Sequence, residues 1–244
     1  MPTILITGAN RGIGLELTRQ YAQDGWLVFA CCRSPGDAHE LHKLMTEFDD
    51  GGNGSGDNVD GGIRVYSLDV TNDAERASLA ARLRGQAIDV LLNNSGISGD
   101  WSTQGFGRCR AGEWLEVMHV NVVAPMLMMQ DFVENVATSS RKIIANMSSG
   151  IGSIANAHAF EGRYIYRSSK AALNMINTIC AADLAKRGIS VVALHPGWVR
   201  TDMGGPDATL GVEESVTALR KNLAGVSFSD SGRFIDIDGS TIPW

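Results

Sequence analysis

Short apolar runs alternate along the chain with longer segments in which apolar residues recur at helical spacing. Several runs are apolar at consecutive positions, as in VLL from Val90 and VVAL from Val191, which is typical of strands buried on both faces of a parallel sheet. Helical spacing predicts helices between them, for example over Leu15–Gln23 and Ala74–Leu83. The alternation predicts an α/β fold, a Rossmann-type, doubly wound, seven-stranded parallel sheet flanked by helices. The runs are Thr3–Thr7, Trp26–Cys32, Ile63–Leu68, Ile88–Leu92, Lys142–Met147, Ile189–Leu194 and Arg233–Ile237.

The alternation continues along the whole sequence without an internal repeat, so residues 1–244 are predicted to form a single domain. One segment departs from it. Six of the fourteen residues in DDGGNGSGDNVDGG, residues 49–62, are glycine, which predicts a flexible surface loop between a helix and the third strand. Asn72 followed by Glu75 is a helix N-cap signal for the next helix.

Composition narrows the class of protein. The 244 residues carry a net charge of −6 without a basic patch, which argues against a nucleic-acid partner. No apolar run approaches the ~20 residues that a membrane span requires, and the first residues do not resemble a signal peptide. The four cysteines match no metal or redox spacing, and His39 with His42 is too small a set for a metal site. We therefore expect a cytoplasmic protein with reduced thiols and neither a metal nor a membrane partner.

Glycines follow the first predicted strand, in TGANRGIG from Thr7 to Gly14. Gly8 allows a tight turn, Gly12 lets the backbone approach a pyrophosphate, and Gly14 lets the following helix pack close to the sheet. Free backbone N–H groups at the start of that helix favour an anion. This placement predicts a dinucleotide site.

The spacing of these glycines resembles the T-G-x-x-x-G-x-G form of the short-chain dehydrogenase/reductase superfamily. Three further motifs match that superfamily in order: LDV at Leu68–Val70, NNSG at Asn93–Gly96 with Ser95 where alanine is usual, and YRSSK at Tyr166–Lys170. The resemblance spans nearly the whole chain and implies a nicotinamide dinucleotide cofactor. Together with the glycine-turn argument it implies cofactor contacts at Gly8, Asn10, Arg11, Gly12, Ile13, Gly14, Arg33, Asp69, Val70, Asn93, Ser95, Gly96, Tyr166, Lys170, Pro196, Gly197, Val199 and Thr201.

The end of the second predicted strand bears on which dinucleotide is bound. NAD-selective sites place a carboxylate there for the ribose 2′-OH. Here Cys32 is followed by Arg33, and no carboxylate occurs before Asp37. Arg33, with Arg11 from the glycine turn, suits a 2′-phosphate, so we predict NADP(H). The resemblance places Asp69 at the adenine amino group and Thr201 at the nicotinamide carboxamide.

Two tyrosines precede Lys170, and helix geometry separates them. Tyr166 and Lys170 are four residues apart and share a helix face, whereas Tyr164 is six residues from Lys170 and does not. Tyr166 is therefore the predicted proton donor, and Tyr164 is assigned to a pocket wall or to packing. A phenol has a pKa of about 10, and a neighbouring ammonium is expected to lower that pKa.

Two serines follow the fifth predicted strand, and the resemblance matches Ser149 to the serine that polarises the carbonyl, with Ser148 as the alternative. It also matches Asn121 to an asparagine in a locally distorted helix, where a water connects to the lysine. An asparagine in so apolar a helix is costly unless it is hydrogen-bonded. Ser149, Tyr166, Lys170 and Asn121 are the predicted catalytic residues.

The segment between Ser149 and Tyr166 is longer than in most single-domain members, and with the tail from His195 it most resembles C-factor and sniffer-type carbonyl reductases. This implies NADPH-dependent reduction of a ketone, aldehyde or quinone, or the reverse oxidation. The alternatives are a C-factor-like signalling protein that binds NADP and a 3-ketoacyl-carrier reductase. Residues 197–211 are predicted to cover a small-molecule substrate.

Two predicted helices are apolar over more than one stripe, namely Val122–Val133 and Ala171–Ala185. That exceeds what a single core contact requires. We therefore expect a homodimer or homotetramer.

Overall fold

The computed structural model describes residues 1–48, 62–159 and 161–244. Strands and helices alternate along the described chain, as the apolar pattern predicts. The strands are β1 Thr3–Thr7, β2 Leu27–Cys32, β3 Gly62–Ser67, β4 Val90–Asn93, β5 Ile143–Met147, β6 Ser190–Leu194 and β7 Phe234–Ile235. The helices are α1 Gly12–Gln23, α2 His39–Glu47, α3 Asp73–Arg82, α4 Ala111–Met118, α5 Ala124–Ala137, α6 Tyr164–Asp183 and α7 Val212–Gly225.

The strands form one seven-stranded sheet in the order β3-β2-β1-β4-β5-β6-β7, and every pairing is parallel. The predicted Rossmann-type sheet is confirmed. Strand order reverses between β1 and β4, and ligands of open α/β sheets bind at the carboxyl ends of the strands beside such a switch point. The glycine turn after β1 and the NNSG motif at the end of β4 lie at this position.

Alternating residues of each strand reach opposite faces of the sheet. Ile4 and Ile6 belong to the core under α1, α2 and α7, whereas Leu5 belongs to the core under α3, α5 and α6. Cys31 and Cys32 are likewise divided between the two cores, and all four cysteines are unpaired. The sheet is thus buried on both faces, which explains its continuous apolar runs.

The seventh strand is shorter than the apolar run that predicted it. The last run was predicted to extend over Arg233–Ile237, but β7 contains only Phe234 and Ile235, because the chain turns back after it and Thr241 pairs with Ile235. The predicted loop at 49–62 lies outside the described residues except for Gly62, which begins β3. None of the helices in the described ranges has the length and apolar character of a bilayer span.

Candidate active site

The glycine turn after β1 has the geometry that its sequence predicts. Gly8 and Gly12 have φ angles of 68° and 52°, which residues other than glycine rarely adopt. A Cβ on Gly14 would lie 2.1 Å from the Gly8 carbonyl oxygen, so only glycine allows α1 to begin this close to the turn. The cradle therefore fits a phosphate group, which backbone N–H groups at the start of α1 would bind.

The turn is fastened to β4 by side chains that the sequence analysis did not single out. The Thr7 hydroxyl accepts hydrogen bonds from the backbone N–H groups of Asn94 and Ser95, both at 3.0 Å. Asn94 Nδ2 donates to the carbonyl oxygens of Thr7 and Gly8 at 2.9 and 3.3 Å. The first and fourth strands thus hold the turn from both sides.

The residues assigned to the adenosine half of the cofactor are spread over two strand ends. Arg33 is exposed directly after β2. Arg11 is also exposed and forms an ion pair with Asp202 at 2.5 Å, so it reaches the segment after β6. Asp69 accepts hydrogen bonds from the Thr71 N–H at 2.9 Å and the Thr71 hydroxyl at 2.7 Å. Asn72, not Asp69, caps α3, as predicted.

Asn93, one of the residues expected to contact the cofactor, has its side chain turned into the protein. Its amide is buried and donates to Asn146 Oδ1 at 2.8 Å, because the side chain points between the sheet and α5. A contact of Asn93 with a cofactor therefore stays a prediction, and it would involve the backbone of this residue. Ser95 lies against the glycine turn, with its Oγ 3.0 Å from the position that a Gly8 Cβ would occupy.

Tyr166, Ser149 and Lys170 come together where the start of α6 crosses the end of β5. The Ser149 side chain lies close enough to the Tyr166 phenol to lower the pKa of that phenol. Lys170 Nζ lies 5.6 Å from the centroid of the Tyr166 ring and donates to the Met147 carbonyl oxygen at 2.8 Å. The i, i+4 relation predicted for Tyr166 and Lys170 therefore places both at one site.

The direction of the tyrosine pKa differs from the prediction. Burial raises the pKa of Tyr166 to about 12, and the hydrogen bond from Ser149 and the positive charge of Arg163 only partly oppose it. Burial also lowers the pKa of Lys170 to about 8. Burial of the phenol therefore outweighs the effect of the neighbouring lysine that the sequence prediction assumed, and the pKa of Tyr166 lies above its ordinary value.

Ser148 and Ser149 face different surroundings. Ser148 is buried, and its hydroxyl donates to Asn174 Oδ1 at 2.5 Å. Its hydrogen-bonding capacity is directed into the protein, whereas Ser149 is the serine in contact with Tyr166. Of the two serines, the geometry favours Ser149 for contact with a substrate carbonyl.

Asn121 lies in a π-helical turn, His119–Val123, between α4 and α5, which is the local distortion that the resemblance implies. Its amide accepts from the Ile97 N–H at 2.9 Å and donates to the Ile97 carbonyl at 2.8 Å. It also donates to Ser169 Oγ at 3.0 Å. Asn121 is thus fully hydrogen-bonded, and it fastens the segment after β4 to α6.

Gln104 is a positioning residue that the sequence analysis missed. It is 1% exposed; its backbone carbonyl accepts from the Tyr164 N–H at 3.2 Å, and its side-chain carbonyl accepts from the Tyr166 N–H at 2.9 Å. Its amide donates to the Ser98 carbonyl at 2.6 Å. Gln104 therefore caps α6, because Arg163 at the N-cap position provides no side-chain cap.

We expect Gln104→Ala to lower the free energy of unfolding by about 1–3 kcal/mol, because it leaves the buried Tyr166 N–H without an acceptor. It should also lower kcat, since the start of α6 carries Tyr166. Urea unfolding and NADPH oxidation measure the two effects. Gln86→Ala, at an exposed glutamine, is the matched control, and equal stability of both variants would contradict this role.

Aromatic side chains surround the entrance to Tyr166. Trp101 packs edge-on against Tyr166 with ring centroids 5.4 Å apart, and Tyr164 lies 6.4 Å from Phe106. Tyr164 is the first residue of α6 and is 42% exposed. Its assignment to a pocket wall or to packing stays a prediction.

The segment 197–211 is ordered by its own hydrogen bonds. Trp198 Nε1 donates to the Gly204 carbonyl at 2.8 Å, and Val199 pairs with Leu210. The Thr201 methyl group lies 3.5 Å from the position that a Gly12 Cβ would occupy, so this segment meets the glycine turn.

The side chain of Val199 is buried, which leaves only its backbone to contact a cofactor. Pro196 accepts a hydrogen bond from Ser215 Oγ at 2.6 Å.

The chain is similar to known proteins in both sequence and structure. C-signal of Myxococcus xanthus is 38% identical over 157 residues, which are 64% of this chain and 93% of that protein. The carbonyl reductase Sniffer of D. melanogaster matches 100% of both chains, with a TM-score of 0.87 and 29% identity. A carbonyl reductase from chicken fatty liver, solved with NADPH bound, matches 100% of this chain and 99% of its own, with a TM-score of 0.86 and 31% identity.

Residues 2–209 match the family model of the short chain dehydrogenases. The match covers the glycine turn, the NNSG motif, Ser149, Tyr166 and Lys170. The parallel seven-stranded sheet and these motifs agree with that match along most of the sequence. The chain therefore belongs to the short chain dehydrogenase family.

Proposed function

We propose that this protein is an NADP(H)-dependent carbonyl reductase that reduces a ketone, aldehyde or quinone. The observation that carries the proposal is the grouping of Tyr166, Ser149 and Lys170 at the carboxyl edge of the sheet, beside a turn that only glycine can form. The likeness to the NADPH-bound carbonyl reductase from chicken fatty liver supports it.

The residues present fit NADP(H), and different residues would bind the cofactor, orient the carbonyl and donate the proton. Gly8, Gly12 and Gly14 would hold the pyrophosphate, and the backbone around Gly197, Val199 and Thr201 would hold the nicotinamide. When bound, the nicotinamide supplies the hydride. Ser149 donates a hydrogen bond to the substrate carbonyl, and Tyr166 provides the proton for the developing alkoxide.

The pKa of about 12 keeps Tyr166 protonated at neutral pH, which suits a proton donor in the direction of reduction. Lys170, with a pKa of about 8, is mostly charged there and stabilises negative charge that develops at the phenol oxygen. Asn121 helps to position Tyr166 through Ser169, whose hydroxyl donates a hydrogen bond to the Tyr166 carbonyl oxygen. The reverse oxidation requires a phenolate, so its rate is expected to increase as the pH rises.

The proposal is tested by following NADPH oxidation against a panel of diketones, quinones, aldehydes and ketoesters. Turnover that is lost in Tyr166→Phe supports it. The similarity to C-signal favours a second candidate, a signalling protein that binds NADP without turnover. Binding of NADPH with no turnover of any carbonyl would favour that candidate. A third candidate, a 3-ketoacyl-carrier reductase, predicts activity only with phosphopantetheine-linked substrates.

Arg33 is the residue that we expect to select NADPH over NADH. It is exposed directly after β2, where no carboxylate is present. We expect Arg33→Ala to weaken NADPH binding about tenfold through loss of charge-assisted hydrogen bonds to the 2′-phosphate. NADH binding should change little, because NADH lacks that phosphate. Calorimetric titration with both cofactors measures the effect. Arg84→Ala, at an exposed arginine after α3, is the control, and equal losses for both cofactors would make Arg33 structural.

We also propose a homodimer or homotetramer, assembled through the faces of α5 and α6 that the core leaves uncovered. Met175 and Ile179, four residues apart on α6, are 62% and 51% exposed, and Val123 before α5 is 43% exposed. Met175→Glu is expected to shift the mass measured by light scattering toward the monomer, because it places a charge in an apolar contact. Phe228→Glu, at an exposed aromatic residue that belongs to neither helix, should leave the mass unchanged. A monomeric mass for the unaltered protein would contradict the proposal.

A further inference from the structure

The positive charge of Arg163 lies near Tyr166. Arg163 is exposed, and within the described ranges no carboxylate lies at ion-pair distance from it. Its guanidinium lies over the ring of Trp101, with Cζ 5.1 Å from the centroid. Trp101 packs against Tyr166, and the charge of Arg163 acts on the phenol against the larger effect of burial. The guanidinium therefore stands close to the reacting position.

Local structure does not explain an arginine at this position. Arg163 has φ 56° and ψ 36°, a left-handed conformation that favours glycine or asparagine. It occupies the N-cap of α6 without a side-chain cap, where serine, threonine, aspartate or asparagine would serve better. A cation at the N-terminus of a helix is also unfavourable, because that end carries partial positive charge.

The arrangement has the features of an anion receptor. A guanidinium binds a carboxylate through two parallel hydrogen bonds, and the indole of Trp101 holds it in place by a cation–π contact. The net charge of −6 gives the protein no general attraction for anions, so an anionic substrate requires a local cation. Trp101, 39% exposed, offers an apolar surface beside that cation.

We propose that the substrate of this pocket carries a carboxylate besides its reacting carbonyl. Arg163 binds the carboxylate, Trp101 contacts the apolar body, and Ser149 with Tyr166 receives the carbonyl oxygen. This inference rests on the proposed carbonyl reduction and makes Arg163 the residue that determines specificity for an acidic substrate over its neutral ester.

Two matched substrate pairs test the proposal: benzoylformate with its methyl ester, and 4-formylbenzoate with its methyl ester. The acid-to-ester ratio of kcat/KM is expected to fall roughly fivefold in Arg163→Gln, the upper range for a solvent-exposed ion pair. The loss should appear in KM of the acids and should shrink at high ionic strength. Any effect of Arg163 on the Tyr166 phenol is common to acid and ester, so the ratio isolates recognition.

Two further variants serve as controls. Arg163→Lys keeps a charge on the same backbone and should retain part of the preference for the acids, whereas Arg110→Gln, at an exposed arginine before α4, should retain all of it. Ratios that are unchanged in Arg163→Gln for both pairs would overturn the inference while leaving the proposed carbonyl reduction intact.

Absence of turnover with any carbonyl would instead contradict the proposed function. In that case a binding experiment alone tests whether Arg163 forms an anion site. Benzoate and benzamide are titrated in the presence of NADPH by ligand-observed NMR. Binding of benzoate that is weakened in Arg163→Gln, with benzamide unaffected, supports the receptor. Equal benzoate binding by both proteins overturns it.

Discussion

Tyr166→Phe is expected to lower kcat by about 10²–10⁴-fold, the usual contribution of a positioned general acid. Phenylalanine keeps the ring that packs on Trp101 at 5.4 Å and that faces Lys170 Nζ at 5.6 Å. Only the hydroxyl and its interaction with Ser149 are removed. The Kd for NADPH and the folded structure should therefore change little, so the loss falls on the chemical step.

Tyr164→Phe is the matched control because the two tyrosines are separated by a single residue. Tyr164 is 42% exposed and lies against Phe106, so loss of its hydroxyl should alter KM at most a few-fold, by the loss of a single exposed hydrogen bond. Steady-state kinetics and calorimetric NADPH titration of both variants decide the assignment. A large fall in kcat for Tyr164→Phe, with Tyr166→Phe active, would show that the helix-register argument is wrong.

Local features of the sequence were sufficient for the fold and for the frame of the site. Consecutive apolar residues in the runs reflect burial on both faces of the sheet, and that requirement acts on each strand separately. The glycines at 8 and 14 reflect a positive φ and a close approach to backbone. The pairing of Tyr166 with Lys170 follows from helix periodicity alone. Each of these properties depends only on residues that are close together in the sequence.

Properties that depend on distant segments were not predictable in the same way. Gln104 caps α6 from 62 positions away in the sequence, and a glutamine in a loop carries no capping signal. The contact of Trp101 with Tyr166 likewise joins segments that are distant in the sequence. The direction of the Tyr166 pKa depends on how deeply the ring is buried, whereas the sequence reveals only the neighbouring lysine. The asparagine at 93 matched a motif, yet its side chain turns into the core.

Lys170→Met is expected to abolish carbonyl reduction and at the same time to stabilise the protein. Lys170 is 4% exposed, and burial lowers its pKa from 10.5 to about 8. A shift of this size corresponds to roughly 3 kcal/mol of unfavourable free energy for the charged lysine in the folded state. Methionine removes that cost but also the hydrogen bond to the Met147 carbonyl, which contributes about 1 kcal/mol. A net gain of about 2 kcal/mol at pH 7 remains.

The pH dependence of this gain identifies its cause. The folded protein releases the Lys170 proton near pH 8, whereas the unfolded chain keeps it up to about pH 10.5, so the unfolded state binds more protons between these values. The free energy of unfolding contributed by Lys170 therefore rises with pH across that window, and the cost is fully present below it. Tyr166, whose pKa is raised to about 12, has the opposite effect above pH 10, but it is common to both proteins. The difference in unfolding free energy between Lys170→Met and the unaltered protein, measured in urea without cofactor, should accordingly shrink from pH 7 to pH 10. A constant difference would mean that the buried lysine does not titrate in this range and that its charge is not the source of the cost.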